Sequence, residues 1–369
     1  MGKKRVLLLS EGFGAGHTQA ARALSDGLRR LSGHVQTRVL ELGSFLHPTI
    51  TPWILNAYRR TLTAQPRLVG ILYRYQYERS LNRLAQLALH RLYYAHATDI
   101  VRQLRPDMIV CTHPFPNAVI ARLKRLGLDV PLCTVITDYD AHGTWISGEV
   151  NKFLVPSPAV KTKLERRGVA ATRIEVTGIP VHPNFWDKRD RDEIRGRYQL
   201  RDMPTVLIMG GGWGLVDNEK LLHHMTRWRE DVQLLFIFGR NAKALARMKE
   251  HPDFQHRNIR LFGYTGEIAQ LMDVSDLLVT KPGGMTCTEG LAKGLPMLFY
   301  KPIPGQEEEN CNYFVASGYG EQITSHQTID KRLSHLTSQR RHADKRQRAI
   351  DASGYDPHGC SRAIMNILQ

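Results

Sequence analysis

Cysteine is scarce in this chain. Five residues in 369, odd in number and scattered at Cys111, Cys133, Cys287, Cys311 and Cys360, form no Cys-x-x-Cys pair, which excludes the common zinc-ribbon and dithiol redox frameworks. Reduced thiols in a cytoplasm are expected. Apolar residues nowhere run for the roughly 18 positions that a spanning helix requires, so any membrane contact is expected to be peripheral. The apolar stretch Val6 to Leu9, after a basic start, is too short for a signal-peptide core and runs into glycines, so it reads as a strand rather than an export signal. No acidic, serine-rich or glutamine-rich tract marks a disordered region.

What remains is a globular chain long enough for two domains with separate cores. Its formal net charge is +16, which calls for an anionic partner: nucleic acid, anionic lipid or a phosphorylated substrate. Charge alone does not choose among them.

Short apolar runs alternate with longer amphipathic stretches, the pattern of βα units around a parallel sheet. Residues 6–10, 35–40, 108–112, 132–137 and 152–155 read as strands of a first series. A second follows at 205–209, 232–238, 259–262, 277–280 and 296–300. Pro183, the charge run 187–197 and Pro204 interrupt the periodicity between them. The expected organisation is α/β throughout: residues 1–195, residues 196–345, and a helical segment 346–369 that returns to the first domain. Residues 48–105 differ, being helical and rich in arginine and aromatics (Trp53, Tyr58, Tyr73, Tyr75, Tyr77, Tyr93 and Tyr94 among Arg59, Arg60, Arg67, Arg74, Arg79, Arg83 and Arg91). That mixture suits a lipid–water interface, where both residue types bury an apolar body and keep a polar tip wet. It equally suits an amphipathic insertion covering the sheet, and the two readings are compatible.

Glycine loops end several strands. Gly12-Phe-Gly14-Ala-Gly16-His17 follows the first strand and leads into a helix, setting backbone N–H groups at a sheet edge where ligands bind. It is not a dinucleotide fingerprint, because Gly-x-Gly-x-x-Gly would need glycine at His17. His17 itself is placed to take a proton from an alcohol as neutral imidazole, or to serve as a helix-start hydrogen-bond partner. In the second series, Gly210-Gly211-Gly212-Trp213-Gly214 follows a strand. Thr280-Lys-Pro-Gly283-Gly284-Met285-Thr286-Cys-Thr-Glu289 then supplies a turn for a diphosphate and a carboxylate for ribose hydroxyls. One βα unit later, Lys301-Pro-Ile-Pro-Gly-Gln306-Glu307-Glu-Glu-Asn310 concentrates the carboxylates and amides that sugar hydroxyls require, or caps the next helix.

The last two motifs together resemble the bacterial processive diacylglycerol glucosyltransferases and the plant monogalactosyldiacylglycerol synthases, of glycosyltransferase family 28, and more distantly the GlcNAc transferase of peptidoglycan synthesis. Gly-x-Gly-His at the N-terminus, Val135-Ile-Thr-Asp138 and Val176-Thr-Gly-Ile-Pro-Val181 are similar too. The resemblance implies a GT-B fold, two doubly wound Rossmann-like domains facing a central cleft. It implies inverting transfer of a hexose from a UDP-sugar, glucose before galactose, to the 3-hydroxyl of diacylglycerol, with no cofactor or metal, at an anionic membrane surface on the cytoplasmic face. It further implies that Gly14 and Gly16 line the site. Gly211, Gly212 and Gly283 to Thr286 contact the diphosphate, and Glu289 the ribose. Phe262, Gly263 and Tyr264 face the uracil, while Gln306, Glu307 and Asn310 hold the hexose. His17 meets the acceptor hydroxyl, with Asp138 orienting it or supplying a carboxylate.

Other readings remain open at this point. Asp138-Tyr-Asp140 is also the Asp-x-Asp pattern of metal-dependent transferases. A UDP-GlcNAc epimerase would share the nucleotide loops but not the basic insertion, and a UDP-GlcNAc transferase would share the loops with a different sugar. A nucleic-acid-binding protein would explain the charge but not the acidic Gln306–Asn310 run, which repels a polyanion.

Overall fold

The computed structural model describes residues 3–64, 91, 94–187, 189–210, 219–338, 350–351 and 353–369. Gly211, Gly212, Trp213 and Gly214 of the expected first phosphate loop lie outside the described residues, as do Arg67, Arg74, Arg79, Arg83, Tyr73, Tyr75, Tyr77 and Tyr93.

The chain divides into two compact units. One comprises Met1–Trp186, Ile303–Glu309 and Asp356–Gln369, and the other Asp187–Pro302 and Asn310–Tyr355. The first unit runs β1 (Lys4–Ser10), α1 (Ala15–Leu31), β2 (Val35–Glu41), α2 (Leu42–Leu46), α3 (Thr51–Ala64), α4 (Ala97–Leu104), β3 (Met108–Cys111), α5 (Pro114–Arg125), β4 (Leu132–Val135), β5 (Lys152–Val155), α6 (Pro158–Arg166) and β6 (Ile174–Val176). Its strands pair in parallel in the order β2-β1-β3-β4-β5-β6. Val6 and Leu8 enter one core cluster, with Leu24 and Leu28 of α1, while Leu7 and Leu9 enter another, with Ile100, Val101 and Ile120. Burial on both faces is why this strand reads as a continuous apolar run rather than an alternating one.

The second unit runs α7 (Arg191–Arg197), β7 (Thr205–Met209), α8 (Glu219–Thr226), β8 (Gln233–Ile237), α9 (Ala242–Glu250), β9 (Ile259–Phe262), α10 (Ile268–Val274), β10 (Leu277–Thr280), α11 (Gly284–Ala292) and β11 (Met297–Phe299). There follow α12 (Gln306–Ala316), whose first turn groups with the first unit, then β12 (Gly320–Gln322) and α13 (His326–Ser338). The sheet is again parallel, ordered β12-β11-β10-β7-β8-β9.

Two strands differ from the sequence expectation. β6 and β12 have three residues each, are only partly buried, and sit at sheet edges, so neither carries an apolar run to announce it. The strand expected over 132–137 ends at Val135, which releases Ile136, Thr137 and Asp138 beyond the carboxyl edge of the sheet. Tyr94, grouped by sequence with interfacial aromatics, is fully buried in the first unit's core.

The last helix, α14 (Gly359–Leu368), packs on α1 through Cys360, Ala363, Ile364 and Leu368. Gly27 of α1 makes this approach possible, since a Cβ there would stand 2.4 Å from Ser361 Oγ and 3.0 Å from the Trp186 ring. Ile364→Ala is expected to cost about 2 to 5 kcal/mol through the cavity left in this core. Urea denaturation followed by tryptophan fluorescence should show a lower midpoint with an unchanged slope.

Candidate active site

Each sheet reverses its strand order once, between β1 and β3 in the first and between β7 and β10 in the second. At such a switch point the flanking connections leave toward opposite faces and a crevice opens at the carboxyl edge. The glycine loops singled out in the sequence follow these strands.

In the first unit, α1 begins behind Gly14, whose φ of 122° suits glycine. No side chain caps the helix, so its first N–H groups face outward with the positive end of the helix dipole. Gly16 and His17 lie in that first turn. His17 is buried, and its Nδ1 stands 2.6 Å from Thr137 Oγ1. Thr112 Oγ1 donates to the His17 carbonyl at 2.9 Å, tying the turn to the end of β3. His113, also after β3, packs edge-to-face on the His17 ring at 4.7 Å, and Trp145 lies 6.1 Å away.

Burial disfavours the charged form of all these imidazoles. It pushes His17 and His142 down to about 4. His113 is lowered by burial and further by neighbouring His17 and His142. All three rings are therefore neutral at physiological pH.

The side chain hydrogen-bonded to His17 Nδ1 is Thr137, one residue before Asp138. Asp138 instead accepts a hydrogen bond from Gln306 Nε2. Asp140, the other member of the Asp-x-Asp pattern, is buried, ion-paired with Lys163, and accepts the Ala141 N–H at 2.8 Å. A carboxylate already neutralised by a lysine is a poor half of a two-carboxylate metal site. Among the described residues, the one grouping of three metal-ligating side chains is His223, His251 and Asp253 in the second unit.

In the second unit, α11 starts at the switch point behind Gly283, again without a side-chain cap. Gly283 has φ −74° and ψ 136°, which any residue adopts, and a Cβ there meets nothing within 4 Å. Among the described residues, neither backbone nor neighbours require glycine at this position. Gly284 and Met285 are buried, and Thr286 is partly so. Glu289 lies one turn further along α11. Loss of water raises its carboxyl to about 8, with no hydrogen bond or charge partner contributing to the shift.

Phe262 closes β9, its ring 5.9 Å from Tyr198 in an edge contact. Gly263 follows, and Tyr264 is exposed with the Arg240 guanidinium 5.2 Å above its ring. Asn310 is fully buried in α12. Glu307 accepts the Ile303 N–H at 2.8 Å and Glu308 the Gly305 N–H at 3.0 Å, so part of this acidic run caps its own helix. Gly14, Gly16, His17, Asp138, Gln306 and Glu307 therefore fall in the first unit, and Phe262, Gly263, Tyr264, Gly283, Gly284, Met285, Thr286, Glu289 and Asn310 in the second.

Residues 17–181 match the monogalactosyldiacylglycerol (MGDG) synthase family, and residues 205–355 the glycosyltransferase family 28 C-terminal domain. The processive diacylglycerol beta-glucosyltransferase of Bacillus cereus (strain AH187) is 31% identical over 320 residues, covering 85% of this chain and 80% of the relative. The protein of that name from Bacillus licheniformis is 29% identical over 349 residues, covering 94% and 90%. The chain belongs to the diacylglycerol glucosyltransferase family.

The transferase shares the GT-B fold of solved structures at low identity. MurG of Acinetobacter baumannii superposes with a TM-score of 0.63 at 15% identity, covering 99% of each chain. Anabaena HepE in complex with UDP and glucose gives 0.57 at 15%, covering 98% of each. The UDP-GlcNAc 2-epimerase of Neisseria meningitidis gives 0.58 at 12%, covering 99% of each.

Thr137, His113, His142 and Trp145 were not singled out from the sequence. The signal available was the stretch 135–138, but only the early end of β4 shows that Thr137 meets the imidazole. Gly283→Ala is expected to leave thermal stability unchanged and to weaken UDP binding roughly tenfold, equivalent to about 1.4 kcal/mol. Ribose hydroxyls would donate to the ionised form of Glu289 and lower its pKa on binding, so UDP affinity should rise with pH up to about 8 and then level. Calorimetric titration should show this rise in the parent and lose the part due to this residue in Glu289→Gln.

Proposed function

We propose that the enzyme transfers a hexose, glucose in preference to galactose, from a UDP-sugar to the 3-hydroxyl of 1,2-diacylglycerol, with inversion at the anomeric carbon. The observation that carries this reading is the pair of complementary groups in a member of this family. One is a neutral, buried imidazole at the first switch point, and the other a partly buried carboxyl with no hydrogen-bond partner among the described residues, near the uncapped helix N-terminus at the second.

On the donor side, the N–H groups of Gly283 to Thr286 hold the diphosphate and stabilise charge that develops on departing UDP. Gly211 and Gly212 are assigned to the same task. Glu289 takes the ribose hydroxyls, and the backbone of Phe262, Gly263 and Tyr264 faces the uracil. Gln306, Glu307 and Asn310 are assigned to the hexose. On the acceptor side, with Nδ1–H donated to Thr137 Oγ1, the His17 Nε2 lone pair takes the hydroxyl proton as oxygen bonds to the anomeric carbon and the bond to UDP breaks. Gly14 and Gly16 shape this loop, and Asp138 adds a carboxylate beside it. In this reading the charge developing on UDP is met by protein groups, and no metal or other cofactor is assigned.

A lipid acceptor needs a surface. Around α2 and α3, Phe45, Ile50, Ile54 and above all Trp53, 79% exposed, present apolar side chains to solvent, with exposed Arg60 on the same helix. With a net charge of +16, this supports peripheral attachment to anionic lipid on the cytoplasmic face. No helix among the described residues is long and apolar enough to cross a membrane.

Radiolabelled UDP-glucose, UDP-galactose and UDP-GlcNAc, offered separately with diacylglycerol in anionic mixed micelles, test the reading. Lipid-soluble label from UDP-glucose, undiminished by chelator, is expected. Label from UDP-GlcNAc alone, or UDP binding without any lipid product, would favour the UDP-GlcNAc-using reading. His17→Ala is expected to lower kcat by about a hundredfold or more. Because burial holds the parent imidazole at about 4, kcat/KM should stay level through neutral pH and fall only as pH approaches that value. An acid limb at the ordinary histidine value would contradict the assignment.

A further inference from the structure

Glu11 is the first residue after β1 and is fully buried. One carboxylate oxygen, Oε1, accepts the backbone N–H of Gly43 at 2.7 Å and the phenol O–H of Tyr94 at 2.7 Å. Gly43 lies in α2, just before the basic aromatic segment, and Tyr94 lies within that segment, shortly before α4. A single oxygen therefore ties α2 to the stretch of chain that precedes α4. The other oxygen, Oε2, is buried and finds no partner among the described residues.

This is an expensive arrangement. Burial, with Glu41 nearby, raises the carboxyl to about 7 against the opposing effect of its two hydrogen bonds. Well-packed apolar side chains commonly serve stability better than a buried ionisable group, so the reason for Glu11 lies in what its bonds hold in place.

The loop from Glu11 to Gly14 carries α1 and His17. The Glu11 carbonyl lies 3.4 Å from Thr18 Oγ1, which also donates to Glu41 Oε1 at 2.9 Å, so the residue beside His17 is stitched to both strand ends. From α3, Leu55 closes on Gly12, where a Cβ would stand 2.8 Å from Leu55 Cδ1, and the Tyr58 ring meets Phe13 edge-on at 5.4 Å. The loop is thus fixed by Glu11 on one side and covered by α3 on the other.

We propose that Glu11 is a positioning residue for the transfer reaction: its carboxyl oxygen locks α2 and Tyr94 to the loop that carries His17, and so couples these two stretches to the acceptor site. This rests on the reading of His17 as the base.

The test compares Glu11→Ala, Glu11→Gln, Tyr94→Phe and His17→Ala in the transfer assay, with melting temperatures measured in parallel. Removing the acceptor oxygen in Glu11→Ala should lower kcat about tenfold or more, because a small misplacement of the base is amplified in rate. The KM for UDP-sugar should stay within about twofold, since the groups assigned to the nucleotide lie in the other unit and none of them touches Glu11. Glu11→Gln keeps an acceptor for both donors and should restore most of kcat. Tyr94→Phe removes one bond without removing the ring, should fold even if Glu11→Ala does not, and should lower kcat with KM unchanged. An unchanged kcat in both Glu11→Ala and Tyr94→Phe, beside an inactive His17→Ala, would overturn the proposal alone. Equal loss in Glu11→Gln and Glu11→Ala would do the same. Full activity in His17→Ala would instead overturn the base on which it rests.

Discussion

A parallel sheet wound outward from its middle strands has one position on its carboxyl edge where adjacent connections diverge and no helix covers the strand ends. In this chain that constraint operates twice, between β1 and β3 and between β7 and β10. Loops after those strands carry the chemistry because that is where backbone N–H groups, helix N-termini and side chains converge without being used by the core. At the first switch point stand Gly14, Gly16, His17 and His113. At the second stands the turn through Gly283 into α11.

Burial then sets what the convergent groups do. Excluding water from His17, His113 and His142 keeps three imidazoles neutral where an exposed histidine would be partly charged. Partial burial of Glu289, with no partner among the described residues, leaves a carboxyl that gains from any hydroxyl reaching it. By contrast, Asp140 is matched by Lys163 and Asp138 is bonded to Gln306, so the acidic pattern that suggests a metal is engaged by the protein itself. Glu11 follows the same logic in the other direction, a buried carboxyl whose bonds fix backbone rather than await substrate.

The two-sheet α/β architecture was legible because the central strands are buried on both faces and therefore spell continuous apolar runs, as at Val6 to Leu9 and Thr205–Met209. β6 and β12 were not legible, since three partly buried residues at a sheet edge leave no such record. The glycine turns after β1 and β10 were legible as the breaks between strand and helix, and at Gly283 the structure adds that its φ does not require glycine. The roles of Thr137 and Tyr94 were hidden for different reasons. Thr137 depends on where β4 stops, and Tyr94 shares its composition with a surface segment although its own ring is in the core. Gln306 read as a sugar ligand; its contact with Asp138, 168 residues away in sequence, is a tertiary fact that no local pattern encodes.

The central claim is that each unit carries its own part of the site at its own switch point, with the nucleotide bound by the second. Hydrogen–deuterium exchange with and without UDP tests it directly. UDP should protect peptides spanning the end of β9 and the turn from Lys281 into α11, and leave the loop from Glu11 to His17 and the stretch after β4 unchanged. Protection of the first unit's loops by UDP, with none at α11, would contradict the account.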